Sequence, residues 1–290
     1  MTVLRRYIPE KALSWLAPFV LICLVLMVFL KEYRYYFSVA SWSSYSPALH
    51  AYNISIVLGF IGILLKERGS RLLLYLPIFF LSCLIHPAMG LFTIGFYLIC
   101  LVPMFKKELK SFLPVLASGI FAVILVKLVF APQQSLPTSI FIDIYVKERH
   151  PWHYSVPDFI NLKGDWGIFF AGMNLLFILP FVYGLLKKNR DLWLLSLFGC
   201  LAYSGAVAFQ YIFIELLPLK AIAYLGISRF TTFGYWMLVI LWSIALANFD
   251  KKDKALFFPS ISLKNFAVII INLIFVGILY LDSPKETHHL

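Results

Sequence analysis

Hydrophobic and polar positions along this chain fall into long blocks. The longest apolar block runs from Leu72 to Phe105, and its few polar side chains include Ser82, Thr93 and His86. One helix crosses a membrane with about 20 apolar residues, so this block is too long for one helix and suits two short ones. Pro87 lacks an amide hydrogen and disfavours helix at the residue before it. The pattern therefore predicts that the chain folds back on itself at His86-Pro87.

The same block pattern predicts an all-α fold with about nine transmembrane helices in a single transmembrane domain over residues 1–290. Helices suit a bilayer because they satisfy their own backbone hydrogen bonds. The predicted spans cover residues 12–30, 50–65, 72–86, 87–105, 111–131, 166–186, 192–214, 229–247 and 265–281.

Basic residues set the predicted orientation. With nine spans, sixteen of the 25 lysines and arginines fall in the N-terminal segment and the connections on its side, and eight fall on the other side, with Lys127 inside a span. Short basic connections resist translocation, so the N-terminus is predicted to be cytoplasmic and the C-terminus external. This orientation places the one long polar connection, residues 132–165, outside.

Composition excludes other classes of protein. With 61% hydrophobic and 13% charged residues, the chain lacks the polar surface of a soluble domain. The net charge of +11 does not indicate nucleic acid, because the cations lie in short clusters between apolar blocks and not on one amphipathic face. All four cysteines fall inside predicted spans, which gives neither a disulfide framework nor a spacing typical of a metal site.

The external loop 132–165 carries the densest group of chemically active side chains, from Glu148 to Tyr154. Arg149 can hold phosphate oxygens with two hydrogen bonds, and His150 and His153 can donate hydrogen bonds or move protons. Together with aromatic rings that stack on a pyranose, this set suits a phosphorylated sugar. An equal alternative is a structured loop that packs on the membrane surface.

By this topology, further polar residues approach the same outer boundary. Lys127 either extends its amine to the headgroups or pairs with an anion, and Arg229 is either a boundary anchor or a clamp for phosphate. We therefore predict a pocket for a lipid-phosphate-sugar. Its predicted lining is His86, Lys127, Arg149, His150, His153 and Arg229.

Four short segments carry a resemblance to a known family. They are Ser46-Pro47-Ala48, residues 83–91 around the His-Pro pair, Arg149-His150-Pro151-Trp152-His153-Tyr154, and Ile227-Ser228-Arg229-Phe230. In this combination the chain resembles a bacterial family of GT-C-type membrane glycosyltransferases over roughly Ser46 to Leu246. The resemblance implies transfer of a sugar from a polyprenyl-phosphate carrier on the extracytoplasmic face of the bacterial inner membrane. Cations or a divalent metal would stabilise the leaving phosphate. Trp152 stands where the family usually has a second histidine, which puts a metal role there in question.

A catalytic carboxylate is the weakest part of the resemblance. GT-C enzymes carry it in a sizeable first external loop, where this chain has only Glu32; Asp143 and Asp158 are fallback candidates. The resemblance also starts at what would be the middle of such a protein, so we expect a missing N-terminal part or a partner chain that supplies it. Two alternatives stay open: an O-antigen-polymerase-like or lipid-linked-sugar flippase-like protein, and a non-catalytic subunit or remnant. No acidic residue lies inside a predicted span, which disfavours an ion-coupled carrier.

Overall fold

A computed structural model describes residues 6–7, 51–130, 137–144 and 165–248, and the regular structure in these ranges is helical throughout. Single helical turns at Val102–Met104, Ile212–Leu216 and Ile227–Phe230 connect some of the helices. The helices are α1 (Ala51–Glu67), α2 (Leu72–Ile85), α3 (Pro87–Leu101), α4 (Phe105–Phe130), α5 (Thr138–Phe141), α6 (Asp165–Leu186), α7 (Arg190–Tyr211), α8 (Lys220–Leu225) and α9 (Thr231–Ala247).

The all-α prediction is confirmed for the described residues, and seven of the predicted spans correspond to long helices there. The predicted spans 12–30 and 265–281 lie outside the described residues. Two boundaries differ from the prediction. Residues 106–110, predicted as a connection, form the first turns of α4, and the predicted loop 132–165 contains the helix α5.

The predicted reversal at His86-Pro87 is confirmed. The backbone of His86 is extended, with φ −147° and ψ 96°, so α2 ends at Ile85 and α3 begins at Pro87. Proline suits this first position because its missing N–H would have no partner inside the helix. The two helices then run antiparallel, since the rings of Phe79 and Tyr97 stack 6.5 Å apart while Gly90 lies against Cys83.

Helices α1 to α4 form an up-and-down bundle around this reversal. Ser55 of α1 and Ser82 of α2 exchange hydrogen bonds, each hydroxyl donating to the other residue's carbonyl at 2.8 Å. Gly59 lies against Thr93, and Gly119 of α4 lies against Ile94. Small residues at these crossings let helix backbones approach closely, which is how helices associate in lipid.

Helices α6, α7 and α9 form a second packed group. Asn189, in the α6–α7 turn, caps the beginning of α7: its side-chain oxygen accepts a hydrogen bond from the amide of Leu192 at 3.1 Å. The indole nitrogen of Trp242 in α9 donates to the carbonyl of Leu176 in α6 at 3.2 Å. Tyr203 of α7 packs on Gly234 of α9 and on the ring of Phe177 of α6, so α7 contacts both neighbouring helices.

Aromatic rings join the two groups. Phe60 of α1 and Phe96 of α3 meet Phe233 and Trp236 of α9, with ring centroids 5.4 to 6.4 Å apart. Phe230 packs on Phe92 at 5.7 Å. Offset and edge-to-face ring pairs add to the apolar burial. These contacts align α9 parallel to α3 and place its beginning beside the beginning of α3.

The core of the bundle is mainly apolar and encloses a few polar side chains, and large apolar side chains also lie on the outside. Among the fully buried residues are Ser55, Ser82, Thr93, Ser196, Gln210 and Ser243. The most exposed apolar side chains include Leu73, Phe121, Leu128, Leu186 and Leu201. Apolar side chains therefore cover part of the outer surface of the described helices as well as forming the core.

Two stretches of the described residues are long and apolar enough to cross a membrane, Pro87–Val129 and Arg190–Leu216. The first consists of α3 and α4, which fold back on each other at the turn Val102–Met104: Tyr97 and Phe112 are 6.2 Å apart across that turn. Shorter apolar helices occupy Leu72–Ile85, Phe170–Leu186 and Trp236–Ala247.

The α2–α3 crossing gives a first prediction. A methyl group at Gly90 would approach the backbone of Cys83 to 2.6 Å, so Gly90→Ala must push the two helices apart. We expect a loss of about 1–3 kcal/mol in the free energy of unfolding, measured in detergent by tryptophan fluorescence. Gly205→Ala is the matched control, because nothing lies within 4 Å of the added methyl group and alanine favours helix. Equal stability of the two variants would contradict the close crossing.

Candidate functional site

Helix directions divide the charged residues between two ends of the bundle. The His86 end contains the beginnings of α3 and α9 and the ends of α4 and α7. The opposite end, here called the Arg6 end, contains the end of α1, the beginning of α4 and the α6–α7 turn. The predicted candidates His86, Lys127, Asp143 and Arg229 all belong to the His86 end.

His86 is held by its own helix and by α1. Its Nδ1 accepts a hydrogen bond from the amide of Met89 at 3.3 Å, which caps α3. The rings of Tyr52 in α1 and His86 pack edge to face, with their centroids 5.7 Å apart. In a neutral imidazole one nitrogen accepts and the other carries hydrogen, so Nε2 of His86 is the donor.

Burial lowers the pKa of His86, and the positive charge of Arg229 lowers it further. The imidazole is therefore neutral near pH 7 and offers its single N–H as a donor.

Arg229 reaches this position through a tight turn. Gly226 ends α8 in the left-handed conformation, with φ 56°, which glycine adopts without strain. The amide of Arg229 then donates to the carbonyl of Gly226 at 2.9 Å. The next residue, Phe230, packs on Phe92 of α3, and the positive charge of Arg229 acts on His86 at the beginning of that helix. The structure thus brings together two of the six predicted pocket residues.

The other described candidates lie elsewhere at the same end. Lys127 is exposed on α4 between apolar neighbours such as Leu128, which is 77% exposed. Asp143 is exposed just after α5, where the amine of Lys220 lies 5.3 Å from the ring of Phe141. The candidates Glu32, Arg149, His150, His153 and Asp158 lie outside the described residues.

In the described parts of the chain, no group of three or more His, Cys, Asp or Glu side chains could hold a metal ion. One neutral imidazole and one guanidinium instead suit an anion, because both groups donate hydrogen bonds.

The Arg6 end contains an ion-pair cluster that the sequence analysis missed. Arg6 holds Glu67 through two of its nitrogens, one of them 2.7 Å from Oε1, and Glu108 through Nη1 at 2.9 Å. Lys66 lies 3.6 Å from Glu108 and donates to the hydroxyl of Tyr97 at 3.0 Å. In the sequence, Arg6 and Lys66 count only toward the positive charge that sets the predicted orientation. The available signal was the presence of Glu67 and Glu108 inside otherwise basic clusters.

This cluster ties the N-terminal segment to three helices. Burial alone would lower the pKa of Arg6, but its hydrogen bonds to the carboxylates of Glu67 and Glu108 outweigh that effect and raise the pKa. The hydroxyl of Tyr7 donates to the carbonyl of Cys100, and burial raises the pKa of that hydroxyl. Both groups therefore keep their protons at physiological pH.

No family model, curated protein or solved structure matches this chain. The resemblance to GT-C glycosyltransferases accordingly rests on the four short segments alone: Ser46-Pro47-Ala48 and those around His86, Arg149 and Arg229.

The ion-pair cluster gives a second prediction. In Arg6→Ala the carboxylate of Glu67, whose side chain is only 2% exposed, loses its cation. We expect a loss on the order of 3 kcal/mol in the free energy of unfolding. The double variant Arg6→Ala/Glu67→Gln should lose less, because it buries no unpaired charge. Arg68→Ala, at an exposed position, is the control. A double variant less stable than Arg6→Ala would argue against a buried ion pair.

His86 gives a third prediction, about pH. The pKa of His86 is lower in the folded protein than its usual value of about 6.5, so between these values the unfolded chain binds more protons. Stability is then complete above pH 6.5 and falls as the pH drops below it. His86→Asn keeps a capping oxygen but does not titrate. We expect the loss of unfolding midpoint between pH 7.5 and 5.5 to be smaller in His86→Asn than in the wild type, and an identical loss would exclude the predicted linkage.

Proposed function

We propose that this chain is a polytopic membrane protein that binds the phosphate group of a lipid-linked sugar at its His86 end. The observation that carries this proposal is the position of His86, whose Nδ1 caps α3, at the same end of the bundle as Arg229, whose positive charge acts on the imidazole. Arg229 supplies charge and two parallel hydrogen bonds to phosphate oxygens, and Nε2 of His86 donates a third.

The exposed apolar side chains of the described helices support insertion of the bundle in a bilayer, and the predicted spans 12–30 and 265–281 bring the proposed number of spans to nine. Of the thirteen lysines and arginines in the described ranges, ten lie at the Arg6 end, which indicates that this end is cytoplasmic. The His86 end is then external, the N-terminus is cytoplasmic and the C-terminus external, as in a bacterial inner-membrane protein. An external site is accessible to a polyprenyl-linked sugar on the outer leaflet.

In this proposal the external loop completes the site. Arg149, His150 and His153 are proposed to add donors to the phosphate, whereas Lys127, which lies apart from His86 and Arg229, extends its amine to the surrounding headgroups. The phosphate contacts fix the donor lipid and stabilise the charge that develops on the leaving phosphate during sugar transfer.

Sugar transfer also needs a carboxylate to receive the proton of the acceptor hydroxyl. Among the candidates, Asp143 lies at the His86 end and is exposed. Glu32, Asp158 or a partner chain are the other proposed sources. The same phosphate site would serve a polymerase-like or flippase-like protein or a non-catalytic subunit, and an assay of sugar transfer with and without a partner chain separates these functions.

The fourth prediction tests the phosphate site. The full chain is placed in nanodiscs with excess phosphatidylglycerol, so that general anionic sites are already filled, and titrated with a polyprenyl phosphate or the uncharged polyprenol. We expect the phosphate to bind more tightly, and Arg229→Gln to weaken its binding about tenfold or more. His86→Asn should weaken it by a smaller factor.

Arg190→Gln, an exposed arginine at the opposite end, is the matched control and should bind like the wild type. Equal affinity for the phosphate and the alcohol would refute the proposed site. An equal loss in Arg190→Gln and Arg229→Gln would also refute it.

A further inference from the structure

Cations are concentrated at the Arg6 end, where ten lysines and arginines face only three carboxylates within the described residues. The His86 end holds three of each sign over the same ranges. The sequence alone shows acidic residues within the basic clusters, so it gives no indication of how much positive charge reaches the surface.

Two of the three carboxylates are withdrawn from that surface. Glu67 is bound by Arg6 and by the hydroxyl of Tyr97, and its side chain is 2% exposed. Glu108 is bound by Arg6 and Lys66 and by the hydroxyl of Ser111 at 2.9 Å. Two cations and two carboxylates thus neutralise one another in a part-buried cluster.

Eight cations stay exposed, and we call this set the basic rim. Its members come from the α1–α2 connection, the beginning of α4 and the α6–α7 turn: Arg68, Arg71, Lys106, Lys107, Lys110, Lys187, Lys188 and Arg190. The three segments adjoin one another. Arg6 joins α1 to α4, and the neighbouring Tyr7 experiences the charge of Asp191 at the beginning of α7.

Helix stability does not account for several rim residues. Lys106 and Lys107 lie in the first turn of α4, and Arg190 is the first residue of α7. The positive end of the helix dipole disfavours cations in the first turn. The helix ends instead add to the positive potential that these side chains project outward.

Exposed apolar residues adjoin the rim on the side of the helices. Leu73, two residues after Arg71, is 81% exposed, and Leu186, directly before Lys187, is 76% exposed. Leu113 follows Lys110 by one turn and is also exposed. A band of cations directly beside an apolar belt matches the headgroup and hydrocarbon layers of an anionic membrane. An acidic protein partner would need only the cations and not the adjacent apolar residues.

We propose that the basic rim binds anionic phospholipid headgroups in the leaflet at the Arg6 end. This binding is separate from the lipid-linked sugar at the His86 end and uses none of its residues. Each lysine near an anionic membrane surface adds about fivefold to the affinity, and salt screens the attraction.

Native mass spectrometry of the full chain in detergent, titrated with phosphatidylglycerol or phosphatidylcholine, tests this proposal. The wild type should bind phosphatidylglycerol at least about tenfold more tightly, and about 0.5 M salt should remove most of the difference. The triple variant Lys106→Gln/Lys107→Gln/Lys110→Gln should lose at least about tenfold in phosphatidylglycerol affinity. The triple variant with arginine at the same positions should keep it, because it keeps the charge.

Lys220→Gln, at the His86 end, is the control for position and should bind phosphatidylglycerol like the wild type. Equal affinity for the two lipids would overturn the proposal, as would a glutamine triple variant that binds like the wild type. A loss of phosphatidylglycerol binding confined to Lys220→Gln would also overturn it. Thermal unfolding of each variant shows that it is folded, and the polyprenyl-phosphate titration remains an independent test of the other end.

Discussion

The close antiparallel crossing of α2 and α3 is the constraint on which the rest of the structure depends. His86 leaves the helical conformation, Pro87 starts the next helix, and Gly90 then fits against the backbone of Cys83. A residue with a side chain at position 90 would separate the two helices. Because α3 is central, contacting α1, α2, α4 and α9, the crossing also fixes the positions of the remaining long helices.

The two ends of α3 carry different groups of polar side chains. At one end of α3, burial and the charge of Arg229 lower the pKa of His86, so this end carries hydrogen-bond donors and a positive charge. Near the other end of α3, the hydroxyl of Tyr97 contacts Lys66 and Glu67 within a cluster of balanced charge. The first arrangement is suited to recognition of an anion and the second to attachment of the N-terminal segment. The apolar belt between them keeps both at the edges of the molecule.

Much of the fold could be predicted from the sequence because its signals are local. The apolar block broken by His86-Pro87 predicts a helical hairpin, and five further long helices follow the other blocks. Local signals did not predict that α4 starts at Phe105, because Lys106 and Lys107 read as a polar connection. The start is stabilised by Glu108, whose partner Arg6 lies 102 residues away in the sequence.

The candidate site was predictable only in part, because it also depends on contacts between residues that are far apart in the sequence. Counting helices places His86 and Arg229 at one end, but their proximity depends on the packing of Phe230 on Phe92, which no spacing rule gives. The number of exposed cations at the Arg6 end likewise depends on which carboxylates are buried in ion pairs. Sequence patterns report periodicity and charge, whereas these features depend on contacts between distant helices.

The most direct test of the central claim is solid-state NMR on the full chain in lipid, with ¹⁵N-labelled histidine and bound polyprenyl phosphate. A through-space coupling between ³¹P and Nε2 of His86, assigned by its loss in His86→Asn, is the predicted result. A phosphate that binds with no coupling to His86 would contradict the account.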